Sequence, residues 1–346
     1  LKVLPNKKSL RVILYSPVYY TSPGTQMRID LIRRSLGFYG IKSILVYEDQ
    51  ENFSQRIYHS FLVENILTKN AFWRTIGLVL AKRLCRFSKY SKTIILFIDV
   101  CASALPYLRK CFDRIILSVE DLTPNYRKFT KESTRRYFEI FTHLAQYADR
   151  IITPAYTLTR ELKELGLEAH TVPIGLEPYV SLDEALKREL PVKILHAGQL
   201  NELEQVKTVL NLAKKYIVIL HNHGRYAKLM KRVVHPNIQK YRATSPQDAV
   251  RFTKHAHIGL IISSRPAYTL SRIYFHTALL QPIIGYGSGP WITEIKELGL
   301  TLNSITEVEE IIHHYSDYVS KMSALQDKLK IPFVHNILIK YVSIDT

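Results

Sequence analysis

Acidic residues are scarce in this chain: 30 Asp plus Glu stand against 48 Lys plus Arg, a formal charge of +18 over 346 residues. An excess of that size draws anionic partners toward the whole molecule. Nucleic acid, an anionic membrane face and phosphorylated substrates all fit it, so charge alone does not choose among them. Cysteine is nearly absent. Cys85, Cys101 and Cys111 form no paired framework and no C-x-x-C, which argues against a disulfide scaffold and a cysteine zinc site and fits a reducing, cytoplasmic setting. No run approaches the roughly 18 apolar residues that a membrane span needs, and the first apolar stretch is too short for a secretory core. Any membrane contact is therefore expected to be peripheral. Nor is there a low-complexity tail. Apolar residues make up 47% of the chain, enough for packed cores, and a chain of this length divides into two of them more readily than it fills one.

Apolar, β-branched runs recur, most of them stopping at a glycine or proline. Residues 10–16 (LRVILYS) form the first, followed by a loop with Pro23 and Gly24 and by MRIDLIRRSLGFYG, whose helical spacing ends at Gly40. Strands are likewise expected at 43–47, 93–100, 113–121, 149–154 and 169–175, with helices at 131–148 and 156–166. Residues 180–191 read as a connector, after which the pattern restarts. VKILHAGQL (192–200) is followed by a helix from Glu204 to Lys215, strands at 216–224 and 257–264, a helix at 270–279 and the strand PIIGYG. Strand–helix–strand order implies parallel sheets. Two such halves predict an α/β chain of two Rossmann-like, doubly wound domains facing one another across a cleft. Their expected extents are residues 1–180 and 181–325, with a helical segment at 326–346 packing back on the first.

In doubly wound sheets ligands lie beyond the carboxyl ends of the strands. The loops there carry glycine, arginine and hydroxyls: Gly198–Gln199, Gly224–Arg225, and 263–271 with Arg265, Tyr268, Thr269 and Ser271. Free N–H groups and the dipole of the helix starting there favour a phosphate, and Arg272 in its first turn adds charge. Thr269 and Ser271 equally suit plain helix caps. Glu120 and Asp121 stand at the end of the predicted strand ILSVED, each a candidate general base, with a turn-capping Asp as the plain alternative. His221 and His223 lack acidic or cysteine partners at ligand spacing, so no metal is expected.

The stretch KNAFWRTIGLVLAKRLCRFSKYSK (69–92) has no acidic residue. On a helix it gathers Phe72, Trp73, Ile76, Val79, Leu80, Leu84 and Phe87 on one side, with Arg74, Lys82, Arg86 and Lys89 on or beyond the flanks. That pattern suits an interfacial helix on an anionic bilayer, and equally a core helix with a solvated basic edge.

Taken in order, residues 11–40, ADRIITPAYTLTRELKELGLEAHTVPIGLEP (148–178), ILHAGQL (194–200) and 257–299, ending in GPWITEIKELGL, resemble GT-B glycosyltransferases of the large family-4-like group across nearly the whole chain. The resemblance implies transfer of a sugar from a nucleotide-diphosphate donor, held by the C-terminal domain, to an acceptor hydroxyl. The nucleotide sugar is a co-substrate, with neither cofactor nor metal. It implies donor-binding roles for Gly198, Gln199, Gly224, Arg225, Arg265, Tyr268, Thr269, Ser271 and Arg272, the last matching a basic residue of many members. Gly24 and Thr25 fall in the region that approaches the phosphates or the acceptor, and Asp121 or Glu120 becomes the base or acceptor contact. Similar enzymes often sit on a membrane through the N-terminal domain and glycosylate lipid-linked acceptors. This turns Phe72, Trp73, Arg74, Lys82 and Arg86 toward the cytoplasmic face of a membrane; nucleic acid is not the expected partner. The sequence also departs from the family. Where a basic residue and a lysine usually neutralise the diphosphate stand Gln199 and Glu204 or Gln205, and Phe275 or His276 replaces the glutamate that commonly binds the donor's ribose. A noncatalytic homologue that binds a partner and a transferase acting on DNA are the alternatives.

Overall fold

The computed structural model describes residues 11–16, 23–47, 63–122, 129–221, 223–243, 246–264, 267 and 271–342, with 23–27, 63, 246–247 and 331–333 described by their backbone alone. The chain divides into two compact units, Leu1–Ile174 with Ile331–Thr346, and Gly175–Lys330.

In the first unit β1 (Arg11–Ser16), β2 (Lys42–Tyr47), β3 (Thr93–Phe97), β4 (Arg114–Ser118), β5 (Arg150–Thr153) and β6 (Ala169–Thr171) form a parallel sheet in the order β2-β1-β3-β4-β5-β6. RVILYS and TIILF are buried along almost their whole length, as a parallel sheet covered on both faces demands. Ile29, Ile32 and Leu36 of α1 (Pro23–Phe38) share a core with Val12, Leu14, Ile95 and Phe97. Val334, Leu338 and Val342 of the helix Ile331–Val342 join it. Pro23 opens α1, where its missing N–H is no loss. Gly24 and Thr25, expected in a loop, therefore lie in the first helical turn.

The helix α2 (Asn70–Leu84) buries Trp73, Ile76, Leu80 and Leu84. Trp73 is 2% exposed; its indole Nε1 donates to the Leu67 carbonyl at 2.7 Å, and its ring centroid lies 5.6 Å from that of Tyr137 on α3 (Lys131–Ala145). Trp73 is thus a residue of the interior and not of a membrane face, because this unit's own core covers its ring and satisfies its N–H. The large exposed apolar side chains on α2 are Leu78 and Val79. The expectation for the cysteines is also corrected. Cys85, at the end of α2, is disulfide-bonded to Cys111, their Cα atoms 5.5 Å apart, while Cys101 is buried and takes no part. The short helix Leu105–Leu108 packs on α2 and brings the chain back to Cys85.

In the second unit β7 (Lys193–His196), β8 (Ile217–His221), β9 (Ile238–Tyr241), β10 (Ile258–Ser263), β11 (Ile283–Gly287) and β12 (Leu302–Asn303) form a second parallel sheet, ordered β12-β11-β10-β7-β8-β9. The chain runs outward from β7 through β8 to β9, then returns to lay β10 on the other side of β7. The direction of winding therefore reverses between β7 and β10. α4 (Leu203–Ala213) follows β7 and α5 (Ser271–Ala278) follows β10, so two helices of this unit start near the reversal.

Candidate functional site

The reversal in a doubly wound sheet is where such folds bind ligands, because loops leave the two strands in opposite directions beyond their carboxyl ends. His196 ends β7, and two residues later comes Gly198. Arg272, from the first turn of α5, lies across that glycine: a Cβ on Gly198 would stand 2.5 Å from Arg272 Nη1 and 2.7 Å from its Cδ. Only a residue without a side chain admits the guanidinium there.

The loops after β7 and β8 are knitted together. Gln199 Oε1 accepts from Asn201 Nδ2 at 2.9 Å, and Asn201 Oδ1 accepts from the Arg225 N–H at 3.0 Å. Leu200 bonds the backbones of His223 and Tyr226. Gly224 has φ +105°, and a Cβ there would meet Asn201 Oδ1 at 2.7 Å. The Arg225 guanidinium sits over the Tyr226 ring, 5.6 Å from its centroid. On the β10 side, Glu202 accepts from Ser264 N at 3.3 Å and from Ser264 Oγ at 3.0 Å. Gln205 is buried. Its Oε1 takes the N–H groups of Asn201 and Glu202 at 2.8 and 3.1 Å, while Nε2 donates to the Ile262 carbonyl at 2.8 Å. Gln205 is therefore a clamp between the β7 loop and β10. Glu204 accepts from Tyr286 OH at 3.1 Å. Neither carries a positive charge; Arg272 does.

His196 and His276 are fully buried. Burial first, with the Arg272 cation acting in the same direction, pushes His196 down to about 3 and His276 down to about 4. Both rings are neutral at neutral pH, which leaves Arg272 as the charge beside them. Phe275 is half-buried, its ring centroid 6.3 Å from that of Tyr179, so an aromatic contact occupies the position where a carboxylate is usual in the resembled family. His276 turns inward to Gln281 at 2.8 Å. Ser271 is the exposed first residue of α5. Arg265, Tyr268 and Thr269 lie outside the described residues, and Gly24 and Thr25 are described by backbone alone.

In the first unit Glu120 and Asp121 follow the carboxyl end of β4, which stops at Ser118, short of the expected 121. Ser118 Oγ donates to Glu120 Oε1 at 2.7 Å, and Arg28 Nε stands 3.8 Å from the same oxygen. Burial raises the Glu120 carboxyl above the usual carboxylate range against the opposing pull of Arg28 and Ser118. Its side chain remains 14% exposed, so protons reach it. Asp121 is half-buried. Arg28 was missed by sequence reasoning; the available signal was a cation one helical turn before Ile32, on the apolar side of α1.

On α2 Arg74 and Lys82 are exposed, as is Arg86 just beyond it, and Phe72 is half-buried. Among the described residues no helix is long and apolar enough to cross a membrane, and no group of three His, Cys, Asp or Glu side chains converges as a metal would need. His221 instead stacks on Tyr241 with centroids 5.2 Å apart.

No protein-family model matches the chain, and no curated protein matches its sequence. Solved structures do match its fold. Anabaena HepE in complex with UDP aligns over 96% of this chain and 99% of its own at 10% identity, with a TM-score of 0.63. The UDP-forming α,α-trehalose-phosphate synthase of Burkholderia vietnamiensis aligns over 96% and 99% at 8% identity and 0.64. The lipopolysaccharide outer core galactosyltransferase WaaB, in its apo form, aligns over 96% and 98% at 12% identity and 0.58. At such identities the likeness establishes architecture: the chain has the GT-B fold, with two α/β units each built on a six-stranded parallel sheet.

Proposed function

We propose that this chain is a glycosyltransferase that draws a sugar from a nucleotide-diphosphate donor held at the β7/β10 reversal of the second unit. The observation that carries the reading is Arg272 lying across Gly198 at the start of α5. A fixed cation, a bare stretch of backbone and a helix N-terminus coincide at the place where this fold class binds ligands, and together they suit a diphosphate. The three solved structures support it, two of them through UDP in their names or complexes. Arg225 and Ser271 complete the phosphate contacts, with Gly198, Gln199 and Gly224 lining the backbone approach; Arg265, Tyr268 and Thr269 belong to the same proposed site. The departing diphosphate is neutralised by arginine, so the reaction runs without a metal. Glu120 takes the acceptor proton and Asp121 orients the acceptor.

The acceptor is lipid-linked, at an anionic membrane surface. Support comes from the exposed Arg74, Lys82, Arg83 and Arg86 around Leu78 and Val79, since cations attract anionic headgroups and apolar side chains enter the acyl boundary. Calorimetric titration with UDP, GDP and UDP-glucose tests the donor site. Binding of one nucleotide, lost in Arg272→Ala, is the expected result; a protein that binds none is a noncatalytic homologue and ends the transferase reading.

A further inference from the structure

We infer that Arg28 is the positioning residue for Glu120, forming an ion pair with its carboxylate from α1 while its other arm is anchored on the backbone after β6. The inference rests on the reading of Glu120 as the base. Arg28 is fully buried; Nη1 donates to the Pro173 carbonyl at 3.1 Å while Nε faces Glu120 Oε1 at 3.8 Å. Ser118 Oγ holds that same oxygen at 2.7 Å from β4. Arg28 on α1 and Ser118 on β4 thus meet one carboxylate, the segment after β6 anchors Arg28, and α1 is itself locked by Ile29 and Ile32 in the core.

A base needs both a fixed direction and a proton affinity suited to its task. Burial favours the neutral carboxyl of Glu120, and Arg28 and Ser118 pull in the opposite direction, toward the carboxylate. Among the described residues, Arg28 on α1 and Ser118 on β4 are the charged and hydrogen-bonding groups that act on it, with Asp121 its neighbour in sequence. In the transfer step the acceptor oxygen bonds to the sugar's anomeric carbon as the bond to the diphosphate oxygen breaks. The diphosphate leaves with that electron pair, the acceptor's proton passes to the Glu120 carboxylate, and Arg28 keeps its charge throughout.

The test is an infrared pH titration of the full chain, with the Glu120 band assigned by difference against Glu120→Gln. In Arg28→Met the protonated-carboxyl band of Glu120 persists to higher pH than in the wild type, and Arg28→Lys restores part of the difference. Turnover of the nucleotide sugar that binds, with UDP-glucose tried first, follows the same direction. The Arg28→Met loss in kcat/KM is about tenfold or more at the acid end and shrinks as pH rises, with KM little changed. An Arg28→Met protein that melts earlier but keeps both the infrared midpoint and the acid limb of the rate profile in place shows a purely structural ion pair and overturns the inference. A midpoint that moves without the acid limb overturns it too. If Arg28→Met does not fold, Arg28→Lys carries the same comparison. UDP bound normally beside an unmoved midpoint removes the positioning role alone, whereas a wild type that binds no nucleotide removes the transferase reading and this role with it.

Discussion

The imidazole of His276 fills the space that a side chain on Gly259 would take: a Cβ built there would lie 2.4 Å from Nδ1 and 2.5 Å from Cγ. His276 cannot swing away freely. Its Nδ1 meets Gln281 Oε1 at 2.8 Å, and Gln281 Nε2 is committed to the carbonyls of Thr253 and Ala256 at 3.0 and 3.1 Å. Gly259→Ala is therefore expected to cost about 1–3 kcal/mol, the usual penalty for overpacking a rigid interior, read as a lower urea midpoint at unchanged m. An unchanged midpoint would mean that the ring has room to move.

The same histidine, with His196, makes stability depend on pH with a definite sign. Both have folded values far below the ordinary 6.5, about 4 and about 3, because burial disfavours the charged ring. The unfolded chain takes up protons below pH 6.5 that the folded one refuses, so stability is fully present above 6.5 and is lost as pH falls toward 4. Each histidine contributes at most about 1.4 kcal/mol per pH unit in that window. Urea melts between pH 7 and 4 are expected to show a slope that becomes shallower in His196→Phe. A parallel slope in the variant would show that this ring does not titrate on unfolding.

At the proposed phosphate site, Gly198→Ala and Arg272→Ala are expected to act alike although one adds atoms and the other removes them. The new methyl is expected to displace the Arg272 side chain, whose Nη1 and Cδ it would meet at 2.5 and 2.7 Å. Loss of a hydrogen bond to a charged group, roughly 1.5–3 kcal/mol, corresponds to a ten- to hundredfold weaker Kd for UDP. Calorimetry on the two variants measures this, and wild-type affinity in Gly198→Ala would place the diphosphate elsewhere.

On α2 two kinds of apolar residue separate by experiment. Trp73→Ala, which empties a core position, is expected to lose about 3–5 kcal/mol of stability. The double change Leu78→Ser and Val79→Ser, on exposed positions, is expected to leave stability nearly unchanged while lowering sedimentation with vesicles containing phosphatidylglycerol. Equal sedimentation of that variant and the wild type would remove the membrane contact.

Strands such as RVILYS, TIILF and IGLIIS were legible in the sequence because each is an unbroken apolar run, which a sheet covered on both faces requires. β9 was not, since this edge strand turns Gln239 and Lys240 outward and its short run looks polar. The order of glycine loops and basic residues pointed to 198–199, 224–225 and 263–272, and the fold gathers the described residues of these loops near one end of the second unit's sheet. What Gln205, Glu202 and Arg28 do was hidden, because each works through a partner more than 50 residues away in the chain: Ile262, Ser264 and Glu120 respectively.

The amino-acid order by itself determined the alternation of strands and helices, the restart after residue 191, and the surplus of cations, since these follow from local periodicity and a simple count. Only the tertiary structure decided that Cys85 meets Cys111, that Trp73 is an interior residue while Leu78 and Val79 stay outside, and that Arg272 lies across Gly198. Amphipathic spacing shows that a helix has an apolar side but not what covers it. A pairing between residues distant in sequence exists only once the sheet has set its strands in order.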